Sequence, residues 1–243
     1  MSRRSKPIAR AIGLGALAVT GTGCLPQPVT ETGRDVAGLY QIFMLAAAGV
    51  FVLVIGLMAW SVIRYRGKAG REVEMPPQVH GNLGIEIVWW ALPTALVGVL
   101  AVLTISVLGQ VDARAEEPDL IVDVAGYQWG WEFTYRDSGV VVNGTAADPA
   151  SIELPTGRSI AFVINSRDVV HSFTIPAFLI KRDAVPSREN RFDVVIDEEG
   201  TYSGQCGEFC GLLHSRQLFE IDAVSPDAFS AWLAEQPIPD AAP

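Results

Sequence analysis

The sequence predicts an α+β membrane protein in which a two-helix transmembrane hairpin is followed by an extracytoplasmic antiparallel β-sandwich. Two uncharged runs, 36–63 and 87–111, are both longer than the ~20 residues that span a bilayer. From residue 120 onward, apolar side chains instead alternate with polar ones in short segments that turn residues separate. With 243 residues, 49% of them hydrophobic, the chain is long enough for both parts.

Residues 1–23 have the pattern of a secretory signal. They begin with four basic residues, Arg3, Arg4, Lys6 and Arg10. A short apolar core follows at 11–19, and small residues then lead to Cys24. This ending resembles that of bacterial lipoprotein signals, so we expect cleavage before Cys24 and lipidation of that cysteine. The alternative is an uncleaved signal in which Cys24 has no function.

The loop between the two apolar runs indicates the membrane orientation. It carries four basic residues, Arg64, Arg66, Lys68 and Arg71. Because short cytoplasmic loops are enriched in Lys and Arg, this loop should lie in the cytoplasm of a bacterial cell. We expect a membrane part at 24–111, with helices at about 38–64 and 84–111 in the plasma membrane. The mature N-terminus, a domain at 112–236 and a tail at 237–243 should then lie outside.

The charge of the chain is divided between its two halves. Residues 112–243 hold nine Lys and Arg against 22 Asp and Glu, a formal charge of −13, whereas residues 1–111 carry +4. An acidic outer half argues against nucleic acid as a partner. It favours a basic protein that electrostatic attraction steers to this surface. The acidity could also serve solubility alone.

The outer half contains strand patterns of three to nine residues and ends in a helix pattern. Aromatic residues at alternate positions in 127–135 predict one strand with an aromatic face. Ser225 and Pro226 are typical of a helix start, which predicts a helix over 225–235. The other predicted strands are 120–124, 140–142, 151–154, 159–164, 171–175, 191–196, 201–204 and 218–221.

Cys206, Cys210 and His214 form the most informative pattern. They occur with the spacing C-x-x-x-C-x-x-x-H in a glycine-rich segment between two predicted strands. Together with His171, thiolate and imidazole favour copper or zinc over magnesium or calcium. A disulfide between Cys206 and Cys210 is the main alternative outside the cytoplasm, and a structural zinc site is the second.

At this point the chain resembles a known family, subunit II of cytochrome c oxidase. The likeness extends over about 36–235. Its most specific motifs are Asp168-Val169-Val170-His171-Ser172-Phe173 and Cys206-x-Glu208-x-Cys210-Gly211-x-x-His214-Ser215. Further motifs are His80-Gly81-Asn82, Glu86-x-x-Trp89-x-x-x-Pro93, Gly126-x-Gln128-Trp129-x-Trp131 and Lys181-x-Asp183-Ala184-x-Pro186-x-Arg188.

The resemblance implies a cupredoxin-like sandwich that holds a binuclear copper A centre. Cys206 and Cys210 would bridge two copper ions. His214 and the backbone carbonyl of Glu208 would bind one ion, and His171 would bind the other together with a weak axial methionine. Gln217 stands where the family has that methionine. We expect both coppers to be retained, with Gln217 as the axial ligand or turned away.

The resemblance also implies a function and partners. The chain would be the electron-accepting subunit of a proton-translocating haem–copper oxidase, without catalysis of its own, and would pass electrons from cytochrome c to the haem of subunit I. Subunit III is a further expected partner. The sequence has no C-x-x-C-H haem-attachment motif, so we expect haem only in the partner subunit and a separate donor protein.

Several residues take expected roles from the same motifs. Trp129 would receive the electron, and the carboxylate of Glu208 would reach a magnesium ion at the interface with subunit I. Glu86 would lie at a proton-channel entrance, although from its position alone it is an interfacial charge at a helix start. The residues that would contact subunit I are Lys181, Asp183 and Arg188.

Three other functions remain open at this level. The first is the copper subunit of a nitric oxide reductase, since the terminal reaction belongs to subunit I. The second is a membrane-tethered protein that binds or delivers copper, which would need only an anchor. The third is quinol oxidation, although the four thiol and imidazole ligands would then be expected to have been lost.

Overall fold

The computed structural model describes residues 25–67, 75 and 77–237. The predicted signal, Cys24 and almost all of the predicted tail lie outside these residues. Cleavage and lipidation therefore stay predictions.

Two long apolar helices come first, as the sequence predicts: α1 is Glu31–Tyr65 and α2 is Leu83–Val111. Helix α1 begins at Glu31 rather than near residue 38, because the side chain of Thr30 accepts a 3.0 Å hydrogen bond from the Gly33 N–H and caps the helix. Asn82 caps α2 in the same way. The mean hydropathy of their most apolar windows is 2.7 and 2.3, enough to cross a membrane.

The rest of the described chain forms a sandwich of two five-stranded sheets and a final helix. The elements are β1 Leu120–Tyr127, β2 Gly130–Tyr135, β3 Val141–Thr145, β4 Ala150–Pro155, β5 Ser159–Ser166, β6 His171–Ile175, β7 Ile180–Ala184, β8 Asn190–Val195, β9 Gly200–Cys206, β10 Leu218–Val224 and α3 Pro226–Glu235. The first sheet has the order β3-β2-β1-β5-β8 and the second β4-β10-β9-β6-β7. Neighbouring strands are antiparallel, except that β1 pairs with β5 and β4 with β10 in parallel.

The prediction of a single strand over 127–135 is wrong. The chain turns at Gln128–Trp129, and β1 and β2 pair as a hairpin in which Tyr127 faces Gly130. A side chain at 130 would meet the Tyr127 ring and the Gly144 carbonyl oxygen, so glycine permits this close approach. As a result Trp129 lies in the turn and is only partly buried, whereas the aromatic residues of β2 are fully buried.

Strand β7 was not predicted, because its three central residues, Lys181, Arg182 and Asp183, are charged. It forms the edge of the second sheet, where charged side chains discourage pairing with other chains. The segment from Lys181 to Arg188 is therefore partly strand and partly loop.

Aromatic packing fills the space between the two sheets. Phe173 of β6 stacks on Phe219 of β10 with ring centroids 4.6 Å apart and planes 6° apart. Trp131 of β2 packs edge-on against both rings and against His171. The core therefore reaches directly under the start of β6, where His171 lies.

The sandwich is joined to both helices near their outer ends. Before α1, the N–H of Val29 donates to the Ala177 carbonyl and the Val29 carbonyl accepts from the Asp197 N–H, at 3.2 and 3.0 Å. After α2, Asp112 pairs with Arg182. These contacts hold the sandwich next to the hairpin.

Candidate metal centre

Three connections meet at one end of the sandwich and bring the predicted ligands together. They are the Gln128–Trp129 turn between β1 and β2, the connection before β6 that ends at His171, and the β9–β10 loop (207–217). Cys206 ends β9 and Cys210 lies inside the loop that follows. Residues from distant parts of the chain thus share one small region.

The two thiols are close but not bonded. Their sulfur atoms are 3.8 Å apart, whereas a disulfide has an S–S distance of about 2.05 Å. Both cysteines are free and buried. The structure therefore presents two sulfur ligands side by side, as a thiolate-bridged site requires, rather than the disulfide that was the main alternative.

Each of the two imidazoles lies close to one sulfur of the thiol pair. His171 Nδ1 is 3.8 Å from the Cys206 sulfur, and His214 Nδ1 is 3.6 Å from the Cys210 sulfur. The ligand atoms of His171, Cys206 and Cys210 all lie within 4.8 Å of one another, and His214 adjoins this group through Cys210. One imidazole at each sulfur suits two ions that share both thiolates.

Asp168 orients His171, a role that its motif in the sequence does not reveal. Its carboxylate lies 2.8 Å from His171 Nε2, so the ring's other nitrogen, Nδ1, faces the thiols. The same carboxylate accepts a 2.7 Å hydrogen bond from the Gln128 N–H. A carboxylate behind a histidine ligand is the usual outer-shell partner of a metal site.

The electrostatics of the thiols favour a bound cation. Burial alone would raise the pKa of Cys206, but hydrogen bonds from His171 and the Ser172 backbone lower it. Burial and the neighbouring Cys206 sulfur together raise the pKa of Cys210. Ionising both thiols so close together therefore calls for positive charge between them, which a metal supplies when its ligands lose their protons.

Gln217 is fully buried and directed into the site. Its Oε1 lies 3.0 Å from both the Cys210 sulfur and His171 Nδ1. The amide is therefore not turned away, which was one of the two expectations. Its oxygen is therefore in contact with both His171 and Cys210.

Glu208 presents two different groups. Its backbone carbonyl oxygen is 3.2 Å from the Cys206 sulfur, where the sequence predicts a ligand. Its carboxylate instead pairs with Lys181 Nζ at 2.5 Å, and Lys181 also contacts Asp183 at 3.2 Å. The predicted magnesium carboxylate thus lies in an exposed group of three charges beside the thiols.

Trp129 contacts the β9–β10 loop directly. Its indole Nε1–H donates to the Cys210 carbonyl at 3.1 Å, and the Gln128 side chain donates to the same oxygen at 2.7 Å. Gly211 has φ +115°, and a side chain there would approach the Trp129 ring to 3.0 Å. Glycine at 211 therefore lets the half-buried indole pack against the thiol loop.

Other predicted site residues lie elsewhere. Glu86 is exposed in the first turn of α2, with its carboxylate beside Gly81. Arg188 lines a groove of about 650 Å³ on the outer face of the first sheet, together with Glu132 and Arg167. The structure does not bring either residue to the thiols.

Comparisons with known proteins match both parts of the chain. The family model for the periplasmic domain of cytochrome c oxidase subunit II matches residues 120–224, and the model for its transmembrane domain matches residues 22–107. A probable cytochrome c oxidase subunit 2 of Streptomyces avermitilis is 32% identical, over 95% of this chain and 86% of the relative. Its counterpart in Streptomyces coelicolor gives the same values.

One solved structure with a detectable likeness is the periplasmic domain of oxidase subunit II (CoxB) from Bradyrhizobium japonicum. It is 27% identical, covers 50% of this chain and 95% of that chain, and superposes with a TM-score of 0.47.

We predict that Asp168→Ala weakens copper binding by about 10–100-fold, the usual cost of losing an outer-shell partner. His171 would lose the hydrogen bond that directs Nδ1 toward the thiols. The measurement is a chelator competition titration of the full chain in detergent. Asp123→Ala is the matched control, because Asp123 pairs with Arg136 and has no contact with the thiols. Equal affinities of Asp168→Ala and the unmutated chain would contradict the role assigned to Asp168.

Proposed function

The chain belongs to the cytochrome c oxidase subunit II family, and we propose that the site built around Cys206 and Cys210 is the copper A centre through which it accepts electrons. As a member of this family it is the electron-accepting subunit of a haem–copper oxidase, and it works beside subunit I in a membrane. The observation that carries the proposal is the pair of unbonded sulfurs 3.8 Å apart with one imidazole at each.

The donors at this end of the sandwich fit copper. Two thiols and two imidazole Nδ1 atoms are ligands that copper prefers, and one carbonyl and one amide oxygen supply weaker donors. Cys206 and Cys210 would hold both ions, His214 and the Glu208 carbonyl would complete one, and His171 and Gln217 the other. When bound, a thiolate-bridged copper pair accepts and releases one electron with little change in geometry.

Trp129 is proposed to receive the electron from the donor. Its indole is partly exposed and its N–H donates a hydrogen bond to the carbonyl of Cys210, which would be one of the two bridging ligands. This gives a short connection from the surface to the thiols. Gln128 supports it by donating to the same carbonyl.

The donor is proposed to be a separate protein of the cytochrome c type. The acidic outer half, with a formal charge of −13 over residues 112–243, would attract a basic face on such a donor. Subunit III is proposed as a further partner.

The other predicted residues remain proposals with the same roles. The carboxylate of Glu208 would bind magnesium at the interface with subunit I, where the cation would take the place that Lys181 holds in this structure. Asp183 and Arg188 would contact subunit I together with Lys181.

Two further proposals concern the membrane part and the N-terminus. Glu86 would admit protons from the cytoplasmic side, and Cys24 would carry lipid after removal of residues 1–23. The proposed domain limits are 24–111 for the membrane part and 112–236 for the copper domain.

The alternative functions have less support. The relatives described above are named as oxidase subunits rather than nitric oxide reductases. A protein that only delivers copper would not need the transmembrane domain of the oxidase family, which matches residues 22–107 here.

We predict that the full chain, purified from membranes in mild detergent, brings with it a larger subunit that contains haem. The measurement is the optical haem spectrum of the purified complex, compared with a mock purification from cells without the tagged chain. Purification of the chain in a folded form without any haem protein would contradict the oxidase assignment.

Within that complex, Trp129→Phe should slow reduction of the copper site by cytochrome c about tenfold, which corresponds to a barrier higher by ~1.4 kcal/mol. The reason is that phenylalanine lacks the indole N–H, so the hydrogen bond to the Cys210 carbonyl would be lost. Stopped-flow absorbance would measure both the reduction of the site and its reoxidation by haem, and reoxidation should not change. Trp232→Phe, at α3 and packed against Tyr135, is the matched control. An unchanged rate of reduction would exclude Trp129 as the acceptor.

A further inference from the structure

Gln217 makes hydrogen bonds at both ends of its amide group. Its nitrogen donates to the backbone carbonyls of Gly130 and Tyr127 at 2.9 and 3.2 Å. These two carbonyls flank the Gln128–Trp129 turn. One buried side chain therefore contacts the turn on one side and the thiols on the other.

The two carbonyls determine which way the amide points. An amide nitrogen donates hydrogen bonds and an amide oxygen only accepts them. If the group were reversed, its oxygen would face two carbonyl oxygens in a buried site and would lack a donor there. The oxygen of Gln217 is therefore held toward Cys210 and His171.

This orientation brings the amide oxygen close to two other atoms that could bind a metal. The Gln217 oxygen lies 3.0 Å from both the Cys210 sulfur and His171 Nδ1. Both of those atoms must give up any proton before they bind a metal. In this structure the Cys210 thiol donates a hydrogen bond to the Gln217 oxygen. Once the thiol loses its proton, three lone pairs converge in a buried space, an arrangement that a bound cation stabilises.

We propose, on the basis of the copper function above, that Gln217 is an axial ligand that keeps the reduction potential of the copper pair low and thereby selects a low-potential electron donor. An amide oxygen is a harder donor than a thioether, so it stabilises Cu(II) relative to Cu(I), and axial ligands tune the potentials of copper sites. A lower potential lessens the driving force from the donor and increases it toward the haem of subunit I. The donor that fits this chain is a one-electron carrier whose own potential is correspondingly low.

The two carbonyl bonds make this ligand rigid. Since the same amide that faces the copper site also anchors both ends of the Gln128–Trp129 turn, the oxygen cannot rotate away without breaking two buried hydrogen bonds. Gln217 is thus a positioning residue for the turn as well as a ligand.

The test is the substitution Gln217→Met in the full chain, loaded with copper in detergent. We expect the two-copper spectrum to persist and the reduction potential to rise. The equilibrium constant for one-electron reduction of the site should increase at least tenfold, which corresponds to 59 mV. Spectroelectrochemical titration measures both quantities. Leu218→Met is the matched control: it adds the same thioether one residue along, on a side chain that is 42% exposed, and should leave the potential unchanged.

The outcomes separate this inference from the proposed function. If the unmutated chain shows no spectrum of two coupled coppers, the proposed function fails. If that spectrum is present and Gln217→Met has an equal or lower potential, only the role of Gln217 is overturned.

A second measurement covers the case in which Gln217→Met does not fold or bind copper. In the unmutated chain, glutamine labelled with ¹³C at the side-chain carbonyl should give one NMR signal with a large hyperfine shift that depends on copper. Absence of any such shifted glutamine signal in a chain that holds two coppers would overturn the ligand assignment.

Discussion

Two sulfur atoms held 3.8 Å apart without a bond are the constraint on which the rest of the site depends. Two thiolates at that distance repel one another in a buried environment, so they are stable only when positive charge lies between them. The surrounding residues complete this arrangement. One imidazole lies beside each sulfur, Asp168 directs His171, and the amide of Gln217 adds an oxygen on the side of His171. The site is therefore a set of donors that bound metal ions would stabilise.

The sandwich holds this arrangement by placing three of the donors at or next to the end of a strand. His171 begins β6, Cys206 ends β9 and Gln217 directly precedes β10, and these three strands are neighbours in one sheet. The other sheet contributes the Gln128–Trp129 turn, which bonds to the Cys210 carbonyl and to Gln217. Both sheets therefore fix the site, and Trp129, the proposed electron acceptor, is part of the same hydrogen-bonded structure as the proposed ligands.

Features of the structure that depend on residues close together in the chain can be predicted from the sequence. The apolar runs predicted both helices, and the spacing of Cys206, Cys210 and His214 predicted one metal loop. The break at Gln128–Trp129 was missed because aromatic alternation continues through the turn, and β7 was missed because its side chains are charged. The direction of the Gln217 amide could not be predicted, because it is set by carbonyls 87 and 90 positions earlier in the chain. Only the packing of the two sheets brings those groups together.

The most direct test of the central claim is the copper content and electron paramagnetic resonance spectrum of the full chain after loading with copper and partial reduction. A site built on two shared thiolates predicts two coppers per chain and a hyperfine pattern from one electron spread equally over both nuclei. One copper per chain, or two coppers with the electron confined to one of them, would contradict the account.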